Sequence, residues 1–161
     1  MEAVRLRTEA ELRSLADFAA PIWHEHYDPI TGAEQVDYMV EKFQSAEAMT
    51  ESLSEGYRIY EIREDGKRCG YISICPHEDH MYLSKFYLHS SARGKGIGRK
   101  MMDFVESEAK KEGFNKVMLN VNKENGSIEI YKRLGYEIAY PECNDIGNGY
   151  FMDDYVMSKN I

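Results

Sequence analysis

The chain has 161 residues, 43% of them hydrophobic and 30% charged, which suits one globular domain over residues 1–161 with room for a substantial core. Against 20 basic side chains stand 28 acidic ones, and the formal charge of −8 repels phosphate backbones, so no nucleic acid partner is expected. No apolar run approaches the ~20 residues of a membrane helix and Met1–Arg5 lacks the apolar stretch of a secretory signal, so no membrane partner is expected and the cytoplasm is the expected compartment.

In chain order, Val4 to Arg7 alternates like a short strand, and Thr8-Glu9-Ala10-Glu11 has the form of a capping box. Leu12, Leu15, Ala16 and Ala19 then recur at helical spacing until Pro21, which is expected to interrupt the run. Gly32 to Phe43 and Ala46 to Leu53 are predicted as a second and a third helix. From Tyr57 the texture changes: Tyr57–Arg63 and Cys69–Ile74 read as strands around Asp65-Gly66, a two-residue turn favouring positive φ. His80–Leu88 is a further strand. After a glycine loop, Ile97, Met101, Phe104, Val105 and Ala109 form the apolar stripe of an amphipathic helix that Gly113 ends. Val117–Val121 is a short buried strand, Gly126–Leu134 a brief helix, and Tyr136–Tyr140 and Tyr150–Ser158 two closing strands. The order predicts an α/β fold with a mixed sheet.

Cys69, Cys75 and Cys143 are odd in number and widely spaced, which reads as reduced thiols. His24 and His26 have no third ligand nearby and His77-Glu78-Asp79-His80 reads as a solvated turn, so no metal site is expected.

The loop Arg93-Gly94-Lys95-Gly96-Ile97-Gly98 lies between a strand and a helix. Its glycines let the backbone approach a ligand, and the free N–H groups at the helix start make an anion site to which Lys95 and Arg99 add charge. It lacks the Lys-Ser/Thr pair of a P-loop, and its helix does not follow the first strand of a parallel unit as in a dinucleotide fold. Glycine-rich turns also serve purely structural ends.

The stretch from Phe86 to Gly98 resembles the signature motif of the GNAT N-acetyltransferase superfamily, with Arg93, Gly96 and Gly98 in the patterned places. Asn125 to Tyr136 resembles the same family's second segment, with Tyr131 six residues after Asn125 and Gly135-Tyr136 closing it. The first 55 residues carry no matching motif. The resemblance implies a mostly antiparallel central sheet of about seven strands with four or five helices, and acetyl-CoA as cosubstrate without a metal. It also implies that the strand ending at Leu88 splays from Val117–Val121, with pantetheine pairing to the backbone of Phe86 and Leu88. The Leu88 N–H would then stabilise negative charge on the thioester oxygen.

By the same resemblance Arg93, Gly94, Lys95, Gly96, Ile97, Gly98 and Arg99 hold the pyrophosphate and Asn125 positions the arm, its alternative being a helix cap. Tyr131 is the candidate general acid, since a phenol near pKa 10 can donate to a departing thiolate near 8.5; its alternative is a core aromatic. Glu61, His80, His89 and Asp153 are conceivable bases, and nothing in the sequence selects among them. Trp23 and Tyr27 lie in a region where relatives recognise acceptors, and Asp153 and Asp154 beside Tyr140, Tyr150 and Phe151 suit an ammonium. Alternatively, these acids are merely exposed on a strand and its turn. A small cationic, polyamine-like amine is the leading acceptor. A protein or peptide amine, and a non-catalytic acetyl-CoA sensor, are the competing readings. Family analogy admits a homodimer.

Overall fold

A computed structural model describes all 161 residues. The elements run β1 (Glu2–Leu6), α1 (Glu9–Thr31), α2 (Ala33–Gln44), α3 (Ala46–Ser54), β2 (Arg58–Glu64), β3 (Lys67–Pro76), β4 (Met81–Leu88), α4 (Ile97–Lys111), β5 (Lys116–Asn122), α5 (Ser127–Arg133), β6 (Glu137–Gly147) and β7 (Tyr150–Asn160). A single 3₁₀ turn, Ser90–Ala92, links β4 to the glycine loop. The seven strands form one sheet in the order β1-β2-β3-β4-β5-β7-β6, in which β4 and β5 alone run parallel.

Both faces of the sheet are covered. On one, Met101, Val105 and Ala109 of α4 pack with Ile72, Leu83 and Leu119; on the other, Leu12, Leu15, Val36 and Met39 of α1 and α2 pack with Ile59 and Tyr71. The expected capping box starts α1: the Glu11 N–H donates to the Thr8 hydroxyl while the Thr8 N–H donates to the Glu11 carboxylate.

Pro21 does not interrupt α1, contrary to the expectation; the helix carries Pro21 and Pro29 within it. The buried stripe Leu12, Leu15, Ala19, Ile22, Trp23 and Tyr27 runs straight across Pro21, so packing on the sheet outweighs one lost helical hydrogen bond. Strand β6 is also longer than expected, continuing through Pro141 to Gly147. It lies at the sheet edge, where a proline removes no ladder bond from a second neighbour. Asn148 (φ 54°) and Gly149 (φ 77°) make the two-residue turn into β7, as Asp65 (φ 52°) and Gly66 (φ 75°) do between β2 and β3.

Candidate active site

Strands β4 and β5 pair over Met81↔Val117, Tyr82↔Met118 and Leu83↔Leu119 and then part, although β4 continues to Leu88 and β5 to Asn122. The parting coincides with a bulge. Leu83 opposes Ile74 of β3 and Lys85 opposes Ser73, leaving Ser84 as the extra residue. Leu83 and Phe86 therefore share the α4 face, while Tyr82, Lys85 and Tyr87 share the other. The His89 N–H donates to Cys69 O at 2.8 Å on β3, so by alternation the Leu88 and Phe86 N–H groups face the gap that β5 has vacated.

A cavity of about 380 Å³ fills this gap on the glycine-loop side, lined by Phe86, Leu88, Arg93, Gly94, Gly96, Gly98, Arg99, Asn125 and Tyr131 among others. Gly94 and Gly96 adopt φ of 73° and 77°, a left-handed conformation that a side chain would strain. The first helical bond to the loop is from Lys100 N–H to Gly96 O at 3.3 Å, so the N–H groups of Ile97, Gly98 and Arg99 have no intrahelical partner. Arg93 donates from Nε to Leu88 O at 3.0 Å and from Nη1 to Glu25 of α1 at 2.9 Å. Asn125 accepts from the Ser127 N–H at 2.8 Å, as a cap would, and its Nδ2 meets His26 Nε2 at 2.8 Å. Tyr131 is buried with its ring 6.1 Å from that of Phe86, and burial pushes its phenol above the ordinary value.

A second cavity of about 510 Å³ lies under α1, α2 and α3, with a floor made by β4, β5, β6 and β7. It shares Tyr27, Ser84, Tyr87 and Asn120 with the first, so the two meet where the strands part. Trp23 donates through Nε1 to the Tyr71 hydroxyl at 2.6 Å, and Tyr71 donates to Gln44 at 2.7 Å; Tyr27 and Tyr87 hydroxyls are 2.9 Å apart. This buried chain fixes the aromatic wall of the cavity. Asp154 is 3% exposed, and its Oδ1 is buried without a partner. Burial, with Glu142 and Asp153 nearby, raises its carboxyl to about 6 despite the opposing bond from Asn120.

Over residues 19–136 the chain matches the model of the acetyltransferase (GNAT) family. It belongs to that family. An uncharacterized N-acetyltransferase of Methanocaldococcus jannaschii is 37% identical over 70 residues, which is 43% of this chain and 31% of that protein. The "Probable N-acetyltransferase san" of Drosophila melanogaster is 33% identical over 76 residues, 46% of this chain and 41% of that one. The matches thus span less than half the length of these curated relatives. The crystal structure of the PaiA N-acetyltransferase from Thermoplasma acidophilum in complex with coenzyme A superposes with a TM-score of 0.80 at 21% identity, covering 100% of both chains. At that identity the likeness speaks for the GNAT fold.

Within this GNAT chain, most residues singled out from sequence line one of the two cavities. Lys95 and Ile97 do not: Lys95 donates to Ser91 O at 2.8 Å on the surface, and the Ile97 side chain is buried in the core beneath the loop. Trp23, Tyr27 and Asp154 line the second cavity, whereas Asp153 is exposed and pairs with Lys123 at 2.6 Å, outside both. Glu61 of β2, one of the conceivable bases, is buried in ion pairs with Arg63 of the same strand and Arg68 of β3. His80 pairs with Asp79 at 2.7 Å, and His89 meets Ser91 at the same distance. Neither histidine lines the cavities described above.

Sequence reading took His26 only as part of the Trp23–Tyr27 cluster and missed Tyr82, Lys85, Tyr87, Asn120 and Asn122 as cavity walls. A signal existed for the asparagines. Val117, Leu119 and Val121 are the buried face of β5, which leaves Asn120 and Asn122 together on the other.

Proposed function

We propose that the chain transfers the acetyl group of acetyl-CoA directly to the primary amine of a small cationic molecule held in the second cavity. The observation that carries this reading is the junction of the two cavities at the parting of β4 and β5. Arg93, Arg99 and the free N–H groups at the start of α4 suit the pyrophosphate, and the gap-facing N–H groups of Phe86 and Leu88 suit the pantetheine arm and the thioester oxygen.

Acetyl-CoA supplies an activated thioester carbonyl. The acceptor nitrogen forms a bond to that carbon as the carbon–sulfur bond breaks, and the departing sulfur takes a proton from Tyr131. The proton lost by the amine passes to Asp154 or to water, and Tyr131 regains its own proton from solvent as CoA leaves. Tyr131 is protonated at neutral pH, the form that can donate, although burial, by raising its phenol, makes it a weaker acid than a free tyrosine. Asp154 and the Trp23–Tyr27 wall suit an ammonium by charge and by cation–π attraction. The roof of three helices favours a small molecule over a peptide, which needs an open groove.

The test is release of free CoA thiol from acetyl-CoA against polyamines, aminoglycosides, amino acids and basic peptides. Release with small amines supports the reading. Binding of acetyl-CoA with no release from any class would overturn it in favour of a sensor.

A further inference from the structure

Lys85 projects from β4 into the wall of the second cavity and is 8% exposed. Its one hydrogen bond goes to Phe43 O at 2.8 Å, at the end of α2, and it makes no ion pair. An ammonium has three donors, and taking it out of water without a carboxylate is costly. A methionine of similar length would cover the same apolar wall without that cost, so packing alone does not account for a lysine here. Burial lowers its pKa to about 8, which still leaves it protonated at neutral pH.

Asp154 presents the complementary case within the same cavity, a buried carboxylate oxygen without a partner. The two groups do not pair with each other: they stand on β4 and β7, with β5 between them. Glu51 and Glu55 border the same cavity as exposed side chains, so its buried charges are one of each sign, and, unpaired and apart, they suit a ligand that carries both. Lys42 also borders the cavity, but it donates to Ile146 O and to the Tyr38 hydroxyl. Lys85 is thus left as the cation free to take an anion, and a single cation matches a carboxylate better than a doubly charged phosphate.

We propose that the acceptor is a diamino acid whose carboxylate pairs with Lys85 and whose side-chain amine, the nitrogen that takes the acetyl group, faces Asp154. This rests on the acetyl-transfer reading and narrows it from cationic amines in general to those that carry a carboxylate. Lys85 then acts as a specificity residue.

Ornithine and putrescine differ by that carboxylate alone, as do lysine and cadaverine, so each pair isolates it. The wild-type chain is expected to use the amino acid with a kcat/KM at least about ten-fold above that of its diamine. In Lys85→Met the amino acid is expected to lose about ten-fold or more, chiefly through KM, while the diamine changes by less than about three-fold. KM for acetyl-CoA stays put, and Lys85→Arg restores part of the preference. A wild-type preference for the diamine, or an equal fall for both in Lys85→Met, overturns the proposal. Should no amine be turned over, the acetyl-transfer reading fails by itself. Calorimetric binding of ornithine and putrescine in the presence of CoA then decides the role of Lys85. Tighter ornithine binding that Lys85→Met removes supports it, and equal binding overturns it.

Discussion

Asp154 keeps its proton to a higher pH than an ordinary carboxyl because it is buried. With the folded carboxyl raised to about 6 against an ordinary 3.8, the unfolded chain releases this proton first as pH rises. The group therefore lowers stability progressively between about pH 4 and 6, by up to about 3 kcal/mol above that window. Asp154→Asn is expected to be the more stable protein at pH 7, with the difference vanishing near pH 4, as thermal melts at both pH values would read. Activity runs the opposite way. If Asp154 faces the acceptor amine as proposed, its protonation below about pH 6 removes that charge, so acceptor KM should climb as pH falls through 6, and this limb should be missing in Asp154→Asn. Tyr131 is a different case, since its phenol stays protonated throughout this range. Tyr131→Phe is expected to lower kcat by about 10²-fold or more while calorimetry shows acetyl-CoA binding within a few-fold of wild type.

At the scale of elements, the glycine loop and α4 form one device, because Gly96 caps the helix in a left-handed conformation at φ 77°. Nothing within 4 Å would obstruct a methyl group there, so Gly96→Ala tests the backbone alone. It is expected to cost about 1–2 kcal/mol in stability and to raise KM for acetyl-CoA more than KM for the acceptor. This loop, the Asp65-Gly66 hairpin and the α4 stripe were legible in the sequence because each rests on local chemistry. The route of α1 past Pro21 was not, because tertiary burial of Trp23 and Tyr27 decides it. Lys85 was hidden by the Ser84 bulge. Strict alternation along Met81-Tyr82-Leu83-Ser84-Lys85 puts Lys85 on the core face with Leu83, and one inserted residue turns it to the cavity instead. A bulge has no single-residue signature, so only the pairing with β3 exposes it.

The whole molecule carries a charge of −8, and Glu51, Glu55 and Asp154 line the second cavity. On the proposed reading, a cationic acceptor would be drawn in by this field and screened from it by salt. Acceptor KM is expected to rise by about two- to five-fold between 10 and 150 mM salt in steady-state assays, roughly the range over which the Debye length contracts from 30 to 8 Å. Helix α1 has a further bearing on how the two ligands meet. Glu25 grips Arg93 beside the glycine loop, His26 touches Asn125, and one turn of the same helix supplies Trp23 and Tyr27 to the wall of the second cavity. A pyrophosphate bound at Arg93, as proposed, would compete with Glu25 and so act on the helix that shapes the other pocket. Thermodynamic reciprocity then demands a symmetric exchange: whatever factor CoA imposes on acceptor affinity, the acceptor imposes on CoA. Paired titrations of each ligand with and without the other should return one common factor different from unity, and Glu25→Gln should bring that factor closer to one.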